Sequence, residues 1–150
     1  MNKFSFPLGR VMDWRRTQER IEEGKLEQLH AELRAIDAQE AVLNLARAQS
    51  ERELVSAGSV TGFQLAALDA FKRYTIAERA RIGVARAGCR QRIRKQIEIL
   101  TVKRREVRLL EQLREQNLKK WQAGLWREID RDAAELYAAK WNSTRLRPLE

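Results

Sequence analysis

The sequence predicts an all-α fold, an elongated antiparallel two-helix coiled-coil hairpin whose C-terminal helix is longer than its N-terminal one. Three observations carry that reading. Residues 62–141 run without a proline and are rich in Arg, Glu, Gln, Leu, Ile and Ala, mostly strong helix formers. Residues 8–56 repeat their apolar positions with the 3-then-4 spacing of a heptad. Between the two lies one cluster of breakers, Ser56-Ala57-Gly58-Ser59-Val60-Thr61-Gly62, short enough to make its flanking helices antiparallel neighbours.

Taken in order, the chain opens on a short extended segment in which Phe4, Phe6 and Leu8 alternate. It is too short for an independent strand, and its apolar side chains are expected to fold back onto a groove. Pro7 suits the first turn of a helix, so helix one is placed at about residues 8–56. Its frame begins Val11, Trp14, Gln18, Ile21 and Lys25, skips one residue, and resumes as Leu26, Leu29, Leu33, Ile36, Glu40, Leu43, Arg47, Ser50 and Leu54. Gly58 fits the left-handed position after a helix end, and Thr61 with Gln64 fits a capping box opening the next helix. The tip loop is therefore placed at about residues 57–62.

Helix two is placed at about residues 63–141 and a short tail at 142–150, with Asn142, Ser143 and Pro148 as its terminators. Its frame reads Leu65, Leu68, Lys72, Thr75, Arg79, Ile82, Arg86, Cys89, Ile93, Gln96, Leu100, Lys103, Val107 and Leu110. Folding back about the loop sets Leu43 near Ala77, Leu29 near Gln91 and Val11 near Leu109. Helix one is then used up, and residues 114–141 are expected to lack an intrachain partner while carrying Trp121, Leu125, Trp126, Ile129, Leu136 and Trp141. An apolar stripe rimmed by charge reads as an interaction surface.

Composition bounds the function. The 150 residues are 34% charged and 43% hydrophobic with 7 Gly and 2 Pro, which suits one helical domain with a thin seam for a core. The formal net charge of +9 is concentrated, since residues 72–108 hold 13 basic and 3 acidic residues. A stripe of that density implies an acidic partner, a nucleic acid or an anionic surface, or else the solvated face of a long helix. The clusters Arg90, Arg92, Arg94, Lys95 and Lys103, Arg104, Arg105 form the candidate partner-facing stripe.

Chemistry is sparse. His30 is the only histidine and falls beside the seam, and Cys89, the only cysteine, sits on a seam position where a small thiol packs well. His30 lacks the neighbours of a base or a metal ligand, Arg86, Arg90 and Arg92 near Cys89 leave a reactive thiol as the lesser reading beside packing, and the chain carries no phosphate-cradling glycine loop. The expectation is no enzyme, no metal and no cofactor. The opening lacks the apolar core of a secretory signal, no run approaches eighteen apolar residues, and a single cysteine suits a reducing compartment, so a cytoplasmic protein is expected.

Two stretches carry a resemblance. Phe4-x-Phe6-x-Leu8-x-x-Val11 resembles the opening of the flagellar FliJ family, the soluble coiled-coil component of the flagellar type III export apparatus. Lys103-Arg104-Arg105-Glu106-Val107-x-Leu109-Leu110-Glu111-Gln112-Leu113 resembles that family's C-terminal motif. Glu128-x-Asp130-x-Asp132-x-Ala134-Glu135 is similar to its acidic tail, although the family's Asp-Glu pair is not intact here.

The resemblance implies a stalk-like antiparallel coiled coil that engages the export ATPase and its regulator, the cytoplasmic domain of the export gate and the substrate chaperones. It implies a location at the inner face of the cell membrane, reached through the export apparatus, with no nucleic acid bound. The ATPase-binding residues it suggests are Phe4, Phe6, Leu8, Val11, Trp14, Leu118, Trp121, Leu125, Trp126 and Ile129. For the gate and chaperones it suggests Leu68, Phe71 and Tyr74 near the hairpin tip. Arg47 and Glu51 stand where family members carry aromatics. Two other functions fit the residues: the stalk of a virulence-type secretion system, and a basic helical nucleic-acid-binding protein.

Overall fold

The computed structural model describes residues 3–145, with the side chain of Thr144 excepted. Two helices make up the fold, α1 (Gly9–Ser56, 48 residues) and α2 (Gly62–Arg145, 84 residues), packed against each other with no strand among the described residues. The all-α hairpin with the longer C-terminal helix is the observed fold.

The turn is built from the residues that foretold it. Gly58 has φ +67°, a left-handed conformation that glycine adopts without Cβ strain. Gln64 Oε1 accepts from the Thr61 amide at 2.9 Å, and the Gln64 amide donates to Thr61 Oγ1 at 3.2 Å. That reciprocal pair is a capping box, satisfying donors that a helix start leaves without partners. At the other end, α2 continues through Asn142 and Ser143 instead of stopping at 141. The Ser143 hydroxyl donates to the Lys140 carbonyl at 2.9 Å, so this residue bonds back along the helix rather than ending it. Pro148 and the rest of the expected tail lie outside the described residues.

The chain divides into two compact units, Gln18–Lys103 and a second made of Met1–Thr17 with Arg104–Glu150. In the first, Ile36, Ile82, Cys89 and Ile93 form a buried cluster with Leu26, Leu29, Leu33 and Leu43 packed against it. Each buried aliphatic side chain contributes roughly 1.5–3 kcal/mol relative to exposure. The antiparallel register is fixed by cross-helix bonds. The Cys89 thiol donates to the Leu29 carbonyl at 3.4 Å, and Arg86 bonds Asp37 at 2.9 Å and also Glu40.

The seam departs from the expected frame in one respect at each helix. On α1 there is no skip: Met12, Arg15, Glu19, Glu22, Leu26, Leu29, Leu33 and Ile36 are covered in an unbroken 3-4 series, with Arg16, Gln18 and Gly24 half-buried beside it. Met12 is 6% and Glu22 8% exposed, whereas Val11, Trp14 and Ile21 are 44%, 54% and 46% exposed. The expected frame had followed hydrophobicity, but a helix cannot shift its contact line by one residue without rotating about 100°. On α2 the frame holds from Ile82 through Leu110. Nearer the tip, Phe71 and Glu78 are covered in place of Lys72 and Arg79, and Leu65 is exposed. The resulting four-then-four step at Glu78, Ile82 and Arg86 is a local stutter in the heptad.

In the second unit Met12 and Val107 are buried, and Arg15 and Arg16 pair with Glu106 at 2.7 Å and Glu111 at 2.9 Å. The opening segment folds back as expected. Phe4 packs on Trp121 with ring centroids 5.9 Å apart and planes tilted by 57°. This corrects the expectation that everything from residue 114 onward lacks an intrachain partner: Leu118, Trp121 and Leu125 are half-buried. From Trp126 through Ser143 every residue is exposed.

Candidate functional site

Three surfaces of these helices collect the residues singled out by sequence. The first is the far part of α2. Trp126, Leu136, Tyr137 and Trp141 are 57–73% exposed, and Ile129 is 36% exposed. At 100° per residue, Leu125, Trp126, Ile129, Ala133, Leu136 and Tyr137 fall on one face of the helix. Of the ten residues suggested for ATPase contact, Phe4 and Trp121 are brought together, and these two, Phe6, Leu118 and Leu125 are half-buried. Leu8, Val11, Trp14, Trp126 and Ile129 face outward. The Trp14 ring is covered on one side by the Arg15 guanidinium, 4.9 Å from its centroid.

The second surface lies near the tip. Phe71 and Tyr74 stack with centroids 6.3 Å apart and planes 28° from parallel. They line an open groove of about 730 Å³ whose other wall is the small-residue side of α1, Ala35, Ala38, Val42 and Ala46. Leu68 joins Phe71 in a smaller adjoining groove of about 310 Å³ against Ser50 and Leu54. The three tip residues named from the sequence thus share one stretch of surface, and α1 contributes an alanine-rich wall that hydrophobicity alone did not mark. Arg47 and Glu51 bond each other at 3.1 Å.

The third is the basic stripe, and the structure splits it. Arg92 is engaged within the chain, its guanidinium donating to both Glu32 carboxylate oxygens at 3.1 and 2.5 Å. That bond holds the Glu32 carboxyl below the usual range and the Arg92 guanidinium above its own. Arg86, outside the named stripe, is likewise raised, first by its bond to Glu40 and then by Asp37. Lys103 and Arg104 also have partners, while Arg90, Arg94, Lys95 and Arg105 are exposed. The spacing of charges in the sequence could not separate cations committed to α1 from those facing outward, because that depends on the cross-helix register.

The seam itself holds a polar layer that the sequence left unremarked. Gln96 donates its side-chain amide to the Glu22 carbonyl at 3.1 Å and to Glu22 Oε2 at 2.6 Å. Lys25 adds a bond to Glu22 Oε1 at 2.9 Å. Glu22 is held below the usual carboxylate range by Gln96 first and Lys25 second, against the opposing effect of burial. The signal available in the sequence was Glu22 standing four residues before Leu26 on the unbroken heptad.

Among the described residues, no group of three or more His, Cys, Asp or Glu side chains is placed to hold a metal ion. No helix of the described residues is long and apolar enough to cross a membrane. Cys89 is fully buried and His30 is exposed on α1. No family model, curated protein or solved structure matches the chain.

Proposed function

We propose that this protein is a flagellar export component, a stalk-like helical hairpin that engages the export ATPase and its regulator. On this reading it also contacts the cytoplasmic domain of the export gate and escorts substrate chaperones, working in the cytoplasm at the inner face of the membrane. The role is mechanical and needs no cofactor.

The observation that carries the reading is the exposed apolar stripe of α2 beyond Leu125, on a helix that outlasts its partner α1. The resemblance of the opening and of residues 103–113 to the FliJ family supplies the identity of the partner. The stacked Phe71 and Tyr74 at the tip supply a separate surface for the gate and chaperones.

Mixing the purified full chain with a flagellar export ATPase tests this. Co-purification is expected, and it is expected to fail when Trp126, Ile129 and Leu136 are replaced together by Ser. Absence of binding by the intact chain, together with a gel shift of DNA or RNA that weakens steeply with salt, would overturn the proposal in favour of a nucleic-acid-binding protein.

A further inference from the structure

The charge around the exposed stripe of α2 has the opposite sign to that of the chain as a whole. Glu128 and Asp132 follow one edge of the apolar face at i, i+4 spacing, and Asp130 lies on its other edge. The two cations within this stretch, Arg127 and Arg131, point to the back of the helix, where Arg131 lies 3.9 Å from Glu135. An acid-edged apolar face thus sits on a protein of formal net charge +9.

The face also continues a packing interface already in use. Leu118, Trp121 and Leu125 are half-buried, with Phe4 of the opening segment against Trp121. Trp126, Ile129, Leu136 and Tyr137 prolong that line with nothing upon them among the described residues. What fits a helix face of this period is another helix with an apolar stripe, and what fits its edges is positive charge.

We propose that residues 125–137 dock an amphipathic helix of a partner protein, one whose apolar stripe is flanked by Lys and Arg. The proposal rests on the reading above only in taking this part of α2 as a docking surface; the sign of the partner's charge comes from the residues themselves. A second copy of the chain is the poorer occupant, since antiparallel pairing of this face with itself sets Glu128 and Asp132 against the same acidic residues.

Two designed helical peptides serve as probes, sharing one leucine stripe and differing in flanks of Lys and Arg or of Glu. Titrated against the full chain at low salt, the basic peptide is expected to bind at least tenfold more tightly than the acidic one, against the sign of the net charge. The triple variant Glu128→Lys, Asp130→Lys, Asp132→Lys is expected to reverse the order. Ala138→Lys with Asn142→Lys, on the back of the helix, is expected to retain it. Circular dichroism checks that each variant keeps its helix.

Equal or tighter binding of the acidic peptide would overturn the proposal, and so would no binding of either at ~100 µM. Sedimentation showing that the chain alone dimerises, with loss of the dimer in Ile129→Glu, would assign the face to a second copy instead. Retained ATPase co-purification alongside failure of the basic peptide would sink this inference and leave the function proposed above standing.

Discussion

The Glu22 carboxylate and the Gln96 side-chain amide meet inside the seam at 2.6 Å, and Gln96 also reaches the Glu22 backbone carbonyl. Both residues are 8% exposed. Buried polar pairs of this kind add little net stability over an apolar pair, but they penalise any register that separates the partners. Gln96→Leu is therefore expected to lower the unfolding midpoint in urea, because Glu22 loses its donor and stays buried. The double variant Glu22→Leu, Gln96→Leu is expected to recover most of the loss. A double variant as unstable as the single one would show that the pair is not what the seam depends on there.

Acid weakens the same region. Glu22 and Glu32 are held below the usual carboxylate value, by Gln96 and by Arg92 respectively. A carboxyl depressed in the folded state contributes stability that is complete above its unfolded value, near 4.5, and is lost as pH falls through the folded value. Unfolding midpoints are thus expected to be flat above about pH 5 and to drop below about pH 4. Glu32→Gln should shallow the drop, measured by thermal melts between pH 3 and pH 6.

The unbroken heptad on α1 makes a sharp contrast between neighbours. Met12 is buried and Val11 is 44% exposed. Met12→Ala is expected to cost about 2–4 kcal/mol and Val11→Ala under about 0.5 kcal/mol. Equal costs in denaturant titrations would mean that the contact line runs elsewhere.

Gly83 and Gly88 lie in the α2 interior with open space where a Cβ would go. Each Gly→Ala change removes backbone freedom from the unfolded chain and is expected to stabilise by roughly 0.5–1 kcal/mol. A loss of stability at either position, read from the same titrations, would indicate that the glycine serves a contact absent from the hairpin alone.

Cys89 is fully buried with its thiol on the Leu29 carbonyl. Its reaction with a thiol reagent is expected to be slow in the folded protein and to speed up with denaturant as the helices part, since reactivity requires an exposed thiolate. Rapid labelling under native conditions would show that α1 and α2 separate locally around Ile82 and Ile93.

Gly58 and the Thr61–Gln64 box were legible because local rules govern them: left-handed φ and the donors of a helix start depend only on nearby residues. From Leu26 to Leu54, and from Ile82 to Leu110, hydrophobicity and geometry agree, and the frame followed from spacing. Before Leu26 they conflict. There Val11, Trp14 and Ile21 looked like seam residues, and the partner helix instead buries Met12 and Glu22.

The sequence by itself determined two helices, their turn and their unequal lengths, because propensity, periodicity and capping act over a few residues. Only the tertiary structure decided which side of α1 faces α2 near its start, which arginines are held by Glu32, Asp37 and Glu40, and that Phe4 reaches Trp121. Those outcomes depend on rotation about each helix axis and on register between helices. Both are settled by contacts between residues dozens of positions apart, for which the spacing of residues along one helix has no signal.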